Sequence, residues 1–146
     1  MKAEELMKGD WVTSEDLLNR PARYEGRYED YTPINGKPYR RLVCLWPGDK
    51  EGASVPEDRV LPVPLTPEIL EKNGFGKDKN GDLVLIEEDY AVRVMRRGDV
   101  YAFTLVTARG GITDMVRFTI HQIGPFSVHW VQHALRLCGI DKEITL

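Results

Sequence analysis

The sequence predicts an α+β fold in two parts, and three observations predict it. Residues 1–63 read as short strands broken by turns. Residues 82–121 alternate apolar and polar at the strand period. The runs 61–75 and 126–146 each carry a short helix with readable ends, and together they bracket the alternating stretch. The expectation is a small SH3-like β-barrel over residues 1–63, followed by an α-β4-α segment over residues 64–146. In that second segment an antiparallel sheet would carry both helices on one face.

In the first part, Leu6 to Val12 places Gly9-Asp10 in a turn before an apolar strand start, and Asp10 is read as a solvated turn residue. Ser14 to Arg20 fits a helical turn or a loop, and Arg23 to Tyr31, with tyrosine and charge interleaved, fits an exposed strand or hairpin arm. Turn clusters at Thr32–Gly36 and Gly48–Gly52 flank Tyr39–Trp46, the clearest strand. Pro56–Arg59 reads as one helical turn, followed by a short strand at Val60–Val63. Strands, a helical turn and a last short strand are the order of a small SH3-like barrel. Prolines 62 and 64 suit an edge strand or an exit from the sheet, because proline cannot donate to a ladder.

The helix over 67–72 follows from its ends. Thr66 suits an N-cap, its hydroxyl accepting from an otherwise unpaired N–H, and Pro67 suits the first helical position. Leu65 and Leu70 stand at the hydrophobic-staple positions. Gly74 and Phe75 form a left-handed stop with an apolar residue packing back on Leu70. Four strands follow, over Asp82–Glu87, Tyr90–Met95, Val100–Thr107 and Met115–His121, with turns at Arg96–Asp99 and Arg109–Gly111. Tyr101, Phe103 and Leu105 share a face, as do Val116, Phe118 and Ile120. The last helix runs from about 128 to 138, with Ser127 as its cap. Val128, Val131, Leu135 and Cys138 make its apolar stripe, Ala134 and Leu137 widen it, and Gly139-Ile140 ends it.

Composition bounds the function. The chain has 146 residues and a net charge of −3. Residues 1–75 hold 11 Lys and Arg against 14 Asp and Glu, and residues 76–146 hold 9 against 9. Neither half has the basic excess of a dedicated nucleic-acid binder, although a local basic patch is compatible with these numbers. Cys44 and Cys138 are far apart in apolar contexts with no Cys-x-x-Cys, and read as reduced thiols. The first ten residues lack a signal-peptide core, and no apolar run approaches membrane-spanning length. A cytoplasmic location without a membrane partner is expected.

The helices also carry a resemblance. Pro64-Leu-Thr-Pro-Glu-Ile-Leu-Glu-Lys-Asn-Gly-Phe75, with Val128-His-Trp-Val-Gln-His-Ala-Leu135 and Cys138-Gly139 later, resembles an uncharacterised family of small Bacteroidetes proteins. Members are often encoded near prophage or mobile-element genes. The family pattern is P-L-T-x-x-I-L-x-x-x-G-F and then V-H-x-L-Q-N-x-x-x-x-x-T-G. Leu65, Thr66, Ile69, Leu70, Gly74, Phe75, Val128, His129, Gln132 and Gly139 match it; Val131, His133 and Cys138 depart. The resemblance implies an accessory protein of phage or mobile-element origin and brings no known activity.

Among chemistry-bearing residues, capping and packing leave His129 and Gln132 unexplained. Three residues apart, they share one helix face. The structural expectation is that one of them hydrogen-bonds main chain of the N-terminal segment or of the 75–82 connection. The functional alternative is that the pair opens on a concave surface as a contact site. His129 and His133 have the i, i+4 spacing that lets two imidazoles grip a metal, with His121 or Cys138 as possible further ligands. A zincin, however, needs Glu after the first histidine, and that position is Trp130. The run Glu87–Asp89 reads as a solvated turn, and Arg109–Gly111 as a hairpin turn, not a phosphate loop. On the back of the sheet Arg93, Thr104, Arg117, Thr119 and His121 alternate away from the core, with Arg96, Arg97 and Arg109 at the turns.

The function expected from these observations is non-enzymatic binding to an unidentified partner, protein or nucleic acid, with no cofactor. One alternative is a nucleic-acid-binding module using Arg93, Arg96, Arg97, Arg109 and Arg117 against phosphates. A second is a metal-dependent enzyme at His129 and His133.

Overall fold

The computed structural model describes residues 5–34, 37–108 and 115–146. The chain divides into two compact units, residues 1–63 with 127–129, and residues 64–126 with 130–146. No helix among the described residues is long and apolar enough to cross a membrane.

The first unit holds strands β1 (Trp11–Thr13), β2 (Ala22–Ile34), β3 (Lys37–Leu45), β4 (Ala53–Pro56) and β5 (Leu61–Pro62). They form one antiparallel sheet in the order β4-β3-β2-β1-β5. Single 3-10 turns lie at Glu15–Leu17 and Glu57–Arg59. Ser14 starts the first of them, its Oγ accepting from the Asp16 N–H at 3.2 Å. That turn drops Leu17 into the core formed by Val12, Ala22, Tyr24, Leu42, Cys44, Val55 and Val60. The stretch 14–20 is therefore a 3-10 turn, and the arm beginning at Arg23 belongs to the long strand β2. A register shift between Tyr24 and Gly26 marks a bulge there.

Asp10 is not the solvated turn residue expected. It is buried, and its Oδ2 accepts from the Met7 N–H at 2.7 Å. Arg23 donates to the Gly9 carbonyl, and its guanidinium lies 4.0 Å from the Trp11 ring centre. An exposed turn in sequence thus becomes a closed corner once β2 returns beside β1.

The expected SH3-like barrel over residues 1–63 does not form. The five strands make an open sheet with β4 and β5 as its edges and no barrel closure. The physical reason lies in those edges. β5 is two residues long and contains Pro62, and β4 ends at Pro56. A proline brings no donor to a ladder, so neither edge can be stitched along any length to the other.

The second unit holds α1 (Pro67–Lys72), β6 (Gly76–Lys77), β7 (Leu83–Ile86), β8 (Tyr90–Arg97), β9 (Val100–Ala108) and β10 (Met115–Ile123). It also takes most of α2 (Val128–Leu137), from Trp130 on. The sheet is an antiparallel meander, β10-β9-β8-β7-β6. This corrects the expected α-β4-α layer: the described residues are mostly β, with ten strands in two sheets and two short helices among them. The four anticipated strands gain a fifth, β6, too short to show a period. A six-residue helix spans only about 9 Å, so α1 cannot act as a layer over strands of eight and nine residues.

The ends of α1 are formed as its sequence dictates. Thr66 Oγ1 accepts from the Ile69 N–H at 3.4 Å, and Leu65 and Leu70 are both buried. Gly74 has φ +90°, and the Phe75 N–H donates to the Leu70 carbonyl at 3.1 Å. In α2, Val128, Val131, Ala134 and Leu135 are buried, whereas Leu137 is 81% exposed and outside the stripe assigned to it. Nine residues past Val128, at about 100° each, Leu137 points away from the buried face. Phe103, Phe126 and Trp130 pack together, with ring centres 4.8 to 6.0 Å apart.

Candidate functional site

The second unit contains an apolar cavity of about 260 Å3. Its wall follows from the sheet register. Leu83 pairs with Val94, and Arg96 pairs with Tyr101, so alternate residues of β8 and their cross-strand partners present one face. The start of α1 brings Leu65 and Leu70 to that face, and Phe126 joins them, its carbonyl accepting from the Leu65 N–H at 2.7 Å. The buried lining is thus Leu65, Leu70, Leu83, Val94 and Phe126, all side chains that prefer an apolar neighbour to water.

Two exposed cations border it, and they differ. Lys77 pairs with Glu71 at 2.9 Å, and that hydrogen bond raises the lysine above its ordinary pKa. Arg96 donates through Nε to the Gly98 carbonyl at 3.1 Å, and its guanidinium lies 5.5 Å from the Tyr101 ring centre. No carboxylate among the described residues pairs with it. The hairpin turn and the tyrosine ring orient Arg96, and its terminal N–H donors have no partner among the described residues. Apolar walls beside an oriented guanidinium can hold an apolar group that carries an anion.

Of the arginines singled out in the sequence, Arg96 is the one that lines this cavity. Arg93 and Arg97 lie on the other face of β8 and engage two aspartates. Arg93 reaches Asp78 at 2.5 Å and Asp82 at 2.8 Å, while Arg97 donates to both Asp82 oxygens, at 2.6 and 3.1 Å. The Asp82 side chain is 1% exposed. Hydrogen bonds from Arg97, reinforced by the charges of Arg97 and Arg93, hold its carboxyl below the ordinary range against the cost of burial. Desolvation pushes Asp78 up, but the N–H groups of Asn80 and Asp82, together with Arg93, outweigh it and leave it lowered. Arg117 is exposed on β10, and Arg109 lies outside the described residues.

His129 and Gln132 differ in exposure and in partners. His129 is half-buried, with Ser127 Oγ 3.5 Å from its Nε2. Gln132 is 3% exposed and holds the C-terminal segment: its Nε2 donates to the Lys142 carbonyl at 2.8 Å, and its Oε1 accepts from the Ile144 N–H at 2.6 Å. The anticipated main-chain partner is thus present but is neither the N-terminal segment nor the 75–82 connection. Asn73 does the same from the end of α1, donating to the Thr145 carbonyl and accepting from the Thr145 N–H. Among the described residues, no group of three or more His, Cys, Asp or Glu side chains is placed to hold a metal ion.

Sequence reasoning missed the cavity, Asn73 and the Asp78–Asp82 turn. A signal for the last was available. Extending the Leu83–Val94 register by one pair sets Asp82 opposite Met95, with Arg93 and Arg97 as its diagonal neighbours on the same face. The cavity has no such signal, because its walls come from four separate stretches of chain. No known protein family matches this chain, and comparison with curated proteins and with solved structures finds no match either.

Proposed function

We propose that this protein acts by binding, not by catalysis, and that the cavity of its second unit receives an apolar group bearing an anionic end. The observation that supports this reading is the pairing of an apolar lining with Arg96, a cation held in place by Tyr101 and Gly98 and paired with no carboxylate among the described residues. A volume of about 260 Å3 lies just under the usual small-molecule range of about 300–1,000 Å3. It therefore suits a medium aliphatic chain or a single ring. Nucleic-acid binding is the weaker reading, because Asp78 and Asp82 neutralise two of the cations that would face phosphate. An accessory protein of mobile-element origin, acting in the cytoplasm with both thiols reduced, is the setting that the resemblance and composition support.

Titration with straight-chain carboxylates, hexanoate to decanoate, followed by amide NMR, tests the proposal. Saturable shifts are expected at Leu65, Leu83, Val94 and Tyr101. The alcohol of equal length and the Arg96→Ala variant should each bind roughly tenfold more weakly, the equivalent of one lost charge-assisted hydrogen bond. Absence of saturable shifts for every chain length sinks the reading. Equal binding of acid and alcohol removes the role of Arg96.

A further inference from the structure

We infer that β10 is a pairing edge for a second copy of this chain. Among the described residues, four strands end the two sheets: β4, β5, β6 and β10. β4, β5 and β6 have four, two and two residues, and the first two contain Pro56 and Pro62. Short length and proline are ways in which proteins blunt an edge against further pairing. β10 has neither. It runs nine residues, keeps unbroken register with β9 from Met115–Ala108 to Ile123–Val100, and contains no Pro, Lys, Asp or Glu. Arg117, Phe118, Thr119 and His121 are exposed, and Ile123 is 87% exposed.

The strand is also self-complementary when antiparallel to itself. With Thr119 on the twofold axis, Phe118 meets Ile120 of the second copy, an aromatic against a β-branched side chain, and Arg117 meets His121. No two like-charged carboxylates or ammonium groups face each other. Thr119 meets its own equivalent, a pairing the sheet already uses, since Thr104 Oγ1 and Thr119 Oγ1 lie 3.2 Å apart. Moving the axis to Ile120 would set Phe118 against Gln122 and Arg117 against Ile123, mixing apolar with polar. Moving it to Phe118 would set Arg117 against Thr119. The Phe118 register would also set an apolar pair, Val116 against Ile120, but the Thr119 register is the one that joins Phe118 with Ile120 and Arg117 with His121. Such a pair is isologous and closed, because the same edge of each copy is used up in pairing with the other.

Sedimentation equilibrium on the whole chain across the micromolar range tests this, with His121→Lys and the double variant Arg117→Glu/His121→Lys. The wild type should show a monomer–dimer equilibrium. His121→Lys sets two like-charged pairs across the axis and should weaken the dimer roughly tenfold. The double variant turns both into opposite-charge pairs and should restore it. Both side chains are exposed, so melting temperatures should stay together and report an intact fold. A wild type monomeric throughout overturns the inference. So does a dimer indifferent to His121→Lys, failure of the double variant to restore pairing, or growth into open polymers.

Discussion

Replacing Gln132 with alanine should cost about 2–4 kcal/mol of folding stability. The amide joins α2 to the C-terminal segment through two hydrogen bonds, to the Lys142 carbonyl and from the Ile144 N–H. Losing two such bonds costs roughly 1 kcal/mol each. Ile144 is fully buried, so its N–H is left in apolar surroundings without an acceptor, adding about 1–3 kcal/mol less whatever a water entering the space recovers. Against a total stability of about 5–15 kcal/mol for a domain of this size, that is a large fraction. Urea unfolding gives the loss. Hydrogen exchange locates it, since the Ile144 amide should lose protection ahead of the β8 and β9 amides. Gln132→Glu separates the two bonds: it keeps an acceptor for Ile144 but loses the donor to Lys142 and places a carboxylate in a buried position. A loss under about 0.5 kcal/mol, or an Ile144 amide as protected as in the wild type, would refute the reasoning.

The lowered Asp82 carboxyl makes the Asp78–Asp82 turn and its ties to Arg93 and Arg97 acid-sensitive. A depressed folded pKa stabilises above the unfolded value, about 3.9, and that stability is lost as pH falls through the folded pKa. The stability gap between wild type and Asp82→Asn, measured by urea unfolding, should therefore be full at pH 7 and close below about pH 4. Burial pushes the Cys44 thiol up to about 11, so in native protein at pH 8 a thiol reagent should modify Cys138 and spare Cys44. Mass mapping should find Cys44 labelled after denaturation, and equal native rates at the two positions would contradict its burial.

The sequence alone determined what is local. Thr66, Pro67, Gly74 and Phe75 specify α1 through capping and turn chemistry that acts within a few residues, and the structure ends that helix where they say. The alternation over β8 and β9 specified strands, and Phe103 and Leu105 are buried on the face it assigned, but Ala102 and Thr104, on the face read as turned from the core, are buried too. What depends on partners distant in the chain was decided by tertiary structure. Whether residues 1–63 closed into a barrel rested on pairing between two edges, and Pro56 and Pro62 deny that pairing its donors. The fifth strand exists only because Lys77 finds Leu83 across a turn. Arg93 and Arg97 looked in sequence like cations for a phosphate, and the register turned them onto Asp78 and Asp82. Gln132 was legible as a polar residue beside an apolar stripe, but its partner lies ten to twelve residues on, in a segment with no period of its own. The cavity gathers Leu65, Leu83, Arg96 and Phe126 from stretches that no spacing rule connects, because a concave surface belongs to packed elements and not to any one of them.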